Sequence, residues 1–119
     1  MRLLRSFQYA FSGLKKAFRS EKNFKIQFII SLSAILLAFL FHISALEWVA
    51  VLGCCSLVLG LELINSAIER LCNFVSPGIH PAIKKIKDFS AAAVLIASLV
   101  SFLIGLIIFL PKVYNLLKG

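Results

Sequence analysis

Hydrophobic and polar positions divide this 119-residue chain into one amphipathic stretch and three long apolar runs. Leu4, Phe7, Phe11, Leu14 and Phe18 recur at spacings of three and four, which predicts an amphipathic helix over residues 1–20. Its Arg2, Arg5, Lys15, Lys16 and Arg19 are available to meet lipid headgroups, as in a helix lying on a membrane surface. Residues 26–45 hold no Asp, Glu, Lys or Arg. A run of about 20 apolar residues crosses a bilayer core as a helix. His42, near its end, reads as an interfacial residue, and Glu47-Trp48 then marks an interface, where Trp is enriched. A second span runs over residues 48–75, apolar through Leu61 and then studded with Glu62, Asn65, Ser66, Glu69 and Arg70. Ser76-Pro77-Gly78 breaks it. Pro81 opens a short basic segment, and residues 89–110 form a third uncharged span that Pro111-Lys112 should end.

The expected fold is therefore a single all-α integral membrane domain over residues 1–119, with three transmembrane helices and an N-terminal surface helix. Composition agrees. The chain is 61% hydrophobic, against about 45–50% in soluble domains, and its mean hydropathy is +0.97. Thirteen Lys and Arg face five Asp and Glu, for a net charge of +8, which suits anionic headgroups. The basic residues border apolar spans and form no single polar stripe, so nucleic acid is not an expected partner. Eleven of the thirteen fall on one side of the predicted spans, which places the N-terminus in the cytoplasm and the C-terminus outside. The first 25 residues lack the uninterrupted apolar core of a signal peptide. Cys54, Cys55 and Cys72 offer no CxxC pair and read as small apolar filler. Three spans can hardly enclose a site alone, so oligomerisation is expected.

The second span carries the chemistry. A carboxylate at membrane depth costs at least ~2.5–3.5 kcal/mol, so such groups are functional candidates. At ~100° per residue, Glu62, Asn65, Ser66 and Glu69 share an arc of roughly 100°, with the two carboxylates about 10 Å apart along the axis. The shallower Glu69 can hold a cation from the cytosol, the deeper Glu62 can act as a base toward a hydroxyl, and Asn65 can orient an oxygen ligand. Glu21, where the surface helix meets the first span, could join Glu69 in binding a hard cation such as Mg²⁺. Lys87 and Asp88 open the third span, where a helix N-terminus and a lysine favour phosphate. Each has a blander reading: Asp88 as an N-cap, Lys87 as a cytoplasmic anchor, Glu69 as a surface partner of Arg70 or Lys84. Glu62 has no cation one turn away in its own helix. No GxxxxGK[ST] or kinase Gly-rich loop is present. From the residues alone, the site is an intramembrane acidic, cation-dependent one.

ELINSAIE at residues 62–69, HPAIKKIKD at 80–88 and AAAV at 91–94 resemble the signatures of the prokaryotic diacylglycerol kinase family, which includes undecaprenol kinases. Arg2, Tyr9, Gly13 and Glu21 fit its N-terminal pattern, and GLIIFLPK at 105–112 resembles its end. The resemblance implies a homotrimeric, three-span membrane kinase whose site is shared between subunits. It implies Glu62 as general base toward the lipid hydroxyl, and Glu21 and Glu69 as ligands of the Mg²⁺ that bridges ATP phosphates. Asn65, Lys87 and Asp88 would support the phosphates, and Arg2, Tyr9, Gly78, Ile79 and His80 would contribute to the nucleotide site. Ser12, Phe11 and Ser90-Ala91 depart from the diacylglycerol-using branch, while Pro81 and the FLPK ending look more like the undecaprenol kinases. A small proton-coupled transporter using Glu62 is the alternative from a different class. It leaves Lys87-Asp88 and the surface helix without a role.

Overall fold

A computed structural model describes residues 1–119 as four helices: α1 (Arg2–Ser20), α2 (Lys22–Leu40), α3 (Ala45–Val75) and α4 (Pro81–Lys118). The last three are each long and apolar enough to cross a membrane. At ~1.5 Å per residue α4 runs about 57 Å, well beyond a hydrocarbon core of roughly 30 Å, so its ends must project. Its 38 residues set the long dimension of the molecule, 58 Å. Helix α3 packs against α4 and α2, and α1 packs against α2.

Only 13 of the 119 residues are buried, and no large side chain is fully enclosed. A water-soluble chain could not leave so much apolar surface bare. Lipid, and further copies of the chain, are the physical alternatives to water. The small core joins Ala38 of α2, Val51 of α3 and Ile108 of α4 around Ile43. It ties together the end of the bundle opposite Glu21 and Lys87.

The connections are made by specific local chemistry. Glu21, extended at φ −109° and ψ 107°, separates α1 from α2 and ends the first while starting the second. Helix α2 stops at Leu40, five residues before the expected Ala45. Two local features end it: His42 adopts a left-handed φ of 51°, and Ser44 begins a capping box. The Ser44 hydroxyl accepts from the Glu47 N–H at 3.2 Å, and the Ser44 N–H donates to Glu47 Oε1 at 2.9 Å. Hydrophobicity continues through this turn, so composition alone did not reveal it.

Helix α4 differs more from the expected pattern. It begins at Pro81, a residue suited to the first helical turn, with the His80 side chain accepting from the Ala82 N–H at 3.2 Å. The basic segment and the third apolar run are thus one helix. Asp88 lies two turns inside it and is no N-cap. Pro111 does not end it either, since the helix continues to Lys118. Proline removes one backbone hydrogen bond, and that loss is tolerated in membrane helices.

Candidate functional site

Three polar links sort the charged residues between the two ends of the bundle. At one end, Arg70 Nε donates to Glu21 Oε1 at 2.6 Å, joining α3 to the α1–α2 junction. At the same end Lys87 of α4 donates to Asn73 Oδ1 of α3. At the other end Lys112 Nζ meets Glu47 Oε2 at 2.9 Å, joining the end of α4 to the start of α3. Every acidic residue except Glu47 therefore lies toward the first end.

Along α3 the four stripe residues form a gradient of burial. Glu62 is 3% exposed, Asn65 6% and Ser66 9%, whereas Glu69 is exposed. The deeper carboxylate is thus sealed within the subunit and the shallower one faces outward. The Asn65 amide nitrogen donates to Glu69 Oε1 at 3.3 Å. An ionised carboxylate only accepts hydrogen bonds, so Asn65 must turn its nitrogen this way. Its Oδ1 is then left buried without a partner. An orphaned acceptor of that kind costs ~1–3 kcal/mol, a cost that a bound donor or cation would offset.

Sequence reasoning missed Asn73, although it lies four residues beyond Glu69 and extends the same stripe. Through Asn73 the Lys87 ammonium is held one turn past Glu69. Glu69 pairs with neither Arg70 nor Lys84. Asp88 instead receives Lys84 Nζ at 2.7 Å on its own helix, with both side chains exposed. The structure does not bring Asp88 into contact with the stripe. Arg2 and Tyr9 are exposed on α1, and Gly78 to His80 form the exposed α3–α4 connection, with Ile79 99% exposed. None of them touches the carboxylates through a hydrogen bond or ion pair.

No three His, Cys, Asp or Glu side chains converge as a ready-made metal cage. Mg²⁺ does not require one, because it keeps waters and takes one or two carboxylates together with substrate phosphates. The oxygen donors Glu69, Glu21 and the unpartnered Asn65 Oδ1 fit such a hard cation, with Glu21 still engaged by Arg70 at one oxygen. Away from these groups, Val58, Cys55 and Val51 continue the α3 face outward. They line an apolar groove of about 490 Å³ shared with α2 and α4.

A buried carboxylate, an exposed one about two turns away and a lysine beyond it lie on the chain's signature segments. Residues 8–109 match the family described as prokaryotic diacylglycerol kinase. The chain belongs to that family. It is a family of lipid kinases, and the transporter reading gains no support. The undecaprenol kinase of Bacillus subtilis is 34% identical over 111 residues, 93% of this chain and 90% of that protein. A diacylglycerol kinase of Synechocystis is 38% identical over 117 residues, 97% of this chain and 66% of the relative. The diacylglycerol kinase of Escherichia coli is 30% identical over 100 residues, 84% of this chain and 82% of that one. A lipid substrate and a nucleotide donor follow from the family, and three apolar helices agree with a membrane enzyme.

Proposed function

We propose that this chain transfers the γ-phosphate of ATP, with Mg²⁺, to the hydroxyl of a membrane lipid alcohol, undecaprenol or diacylglycerol. The observation that carries this reading is the burial gradient from Glu62 to Glu69 on one face of α3. Glu62 is buried, and the apolar groove that begins one turn away at Val58 gives the lipid's hydrocarbon chain a place to lie. Its carboxylate accepts the hydroxyl proton as the alcohol oxygen bonds to the γ-phosphorus and the bond to the ADP oxygen breaks. Glu69 and Glu21 would hold Mg²⁺, and the unpartnered Asn65 oxygen is available as a further donor. When bound, the ion offsets charge on the phosphates.

Lys87, held beyond Glu69, supplies positive charge to the phosphates. Asp88, Arg2, Tyr9, Gly78, Ile79 and His80 complete the nucleotide site from the exposed end. Because they stand apart from the stripe within one subunit, a homotrimer with sites shared between copies is part of the proposal. So are α1 lying on the cytoplasmic face of the bacterial inner membrane and a C-terminus outside. The exposed apolar side chains of α1, among them Phe7 and Phe11, support that placement.

The test offers undecaprenol and diacylglycerol in competition to the purified chain in mixed micelles with labelled ATP. Labelled undecaprenyl phosphate or labelled phosphatidic acid bears out the kinase and names its acceptor. Absence of any labelled lipid contradicts it.

A further inference from the structure

The apolar groove shared by α2, α3 and α4 is open to the side, and its two ends differ. Its polar lining residues, Gln27, Ser31, Ser33, Ser98 and Ser101, fall in the half toward Glu62. On α3, Val51, Cys55, Val58 and Glu62 follow one another at spacings of four, three and four, so the carboxylate continues the face that lines the groove. Two polar links fix the antiparallel register of α4 against α3: Lys87 with Asn73, and Lys112 with Glu47. Counted from the first link, Ser98 and Glu62 are each eleven residues along their helices. Counted from the second, they are fourteen and fifteen. Ser98 therefore stands level with Glu62, to roughly one residue of rise.

A serine inside a helix can return its hydroxyl proton to the carbonyl four residues back. Ser6, Ser20 and Ser33 do so, at 3.2, 2.7 and 2.9 Å. Ser98 does not. Its Oγ is buried and has no partner. A hydroxyl shut away from water without a partner is costly, and a ligand in the groove that brings an acceptor would remove that cost.

The chemistry of that ligand follows from the two groups. Its own hydroxyl is committed to Glu62. Ser98 needs a further acceptor, close to that hydroxyl and at the same depth. A diacylglycerol has ester carbonyls on the carbons beside its hydroxyl. A polyprenol has only hydrocarbon there, and would leave the Ser98 hydroxyl unpaired.

We propose that Ser98 selects the acceptor, its hydroxyl donating to an ester carbonyl of the lipid alcohol and so favouring a diacylglycerol over a polyprenol. The inference rests on the lipid kinase reading and deepens it by naming the acceptor class. A site that hydrogen-bonds one substrate group discriminates against a substrate lacking it.

The test uses the full-length protein in mixed micelles with labelled ATP. The acceptors are dioleoylglycerol, its dioleyl ether analogue and undecaprenol. The ether keeps the hydroxyl and both chains but has no carbonyl oxygens. Values of kcat/KM would be compared for the unaltered chain, Ser98→Ala, Ser98→Thr and Ser101→Ala, with helicity and thermal midpoint verifying folding. The unaltered chain should favour the ester over both other acceptors by about tenfold or more. Ser98→Ala should lose about that factor with the ester and stay within about twofold with the ether. Ser98→Thr keeps the hydroxyl and should keep the preference. Ser101→Ala, a turn further from Glu62, should leave it unchanged. Equal loss on ester and ether in Ser98→Ala, or loss on neither, would overturn the inference. So would a preference of the unaltered chain for undecaprenol. Those outcomes leave the kinase reading standing, whereas absence of any labelled lipid would end both.

Discussion

Asn65 gives its amide nitrogen to Glu69 at 3.3 Å and keeps a buried carbonyl oxygen with no partner. That arrangement costs stability in the empty subunit and makes sense if a ligand completes it. Asn65→Leu should therefore hold or raise the thermal midpoint while lowering kcat/KM about 10- to 100-fold, the equivalent of ~1.4–3 kcal/mol. Parallel unfolding and kinase assays check it. A large fall in thermal midpoint together with activity would mean that Asn65 serves packing.

The far end of the bundle should behave oppositely. Ser44→Ala removes the acceptor of the α3 capping box and should cost ~1 kcal/mol of stability. Turnover per folded molecule should stay unchanged, because Ser44 and the Glu47–Lys112 pair lie at the end away from Glu62. Denaturation coupled to an activity assay measures both.

His42 provides a backbone test of the same turn. Its φ of 51° is tolerable for His and costly for a β-branched residue. His42→Val should destabilise the protein by ~1–2 kcal/mol, whereas His42→Gly should change little. Thermal midpoints of the two variants decide it. Equal loss in both would implicate the imidazole instead of the backbone.

Much of this architecture was legible because it depends on local period. A 3.6-residue repeat put Glu62, Asn65, Ser66 and Glu69 on one face, and the helical structure keeps them there. Asn73 follows from the same arithmetic but looks like an ordinary helix-end residue until Lys87 is seen to reach it. The Ser44–Glu47 box was readable as S-x-x-E, yet the apolar Ile43, Ala45 and Leu46 around Ser44 concealed it. Pro111 misled because a stop signal learned from soluble helices is weaker in lipid. The Glu21–Arg70 pair joins residues 49 apart in sequence, and no local rule supplies such a contact.

The most direct test of the account is the division of labour between the two α3 carboxylates. Mg²⁺-dependent binding of a non-hydrolysable ATP analogue and phosphate transfer would be measured for Glu62→Gln and Glu69→Gln. Glu62→Gln should abolish transfer and leave nucleotide affinity within a few-fold of the unaltered chain. Glu69→Gln should weaken the metal-dependent binding itself, by tenfold or more. Equal loss of binding in both variants would contradict the assignment of a buried base and an exposed metal ligand.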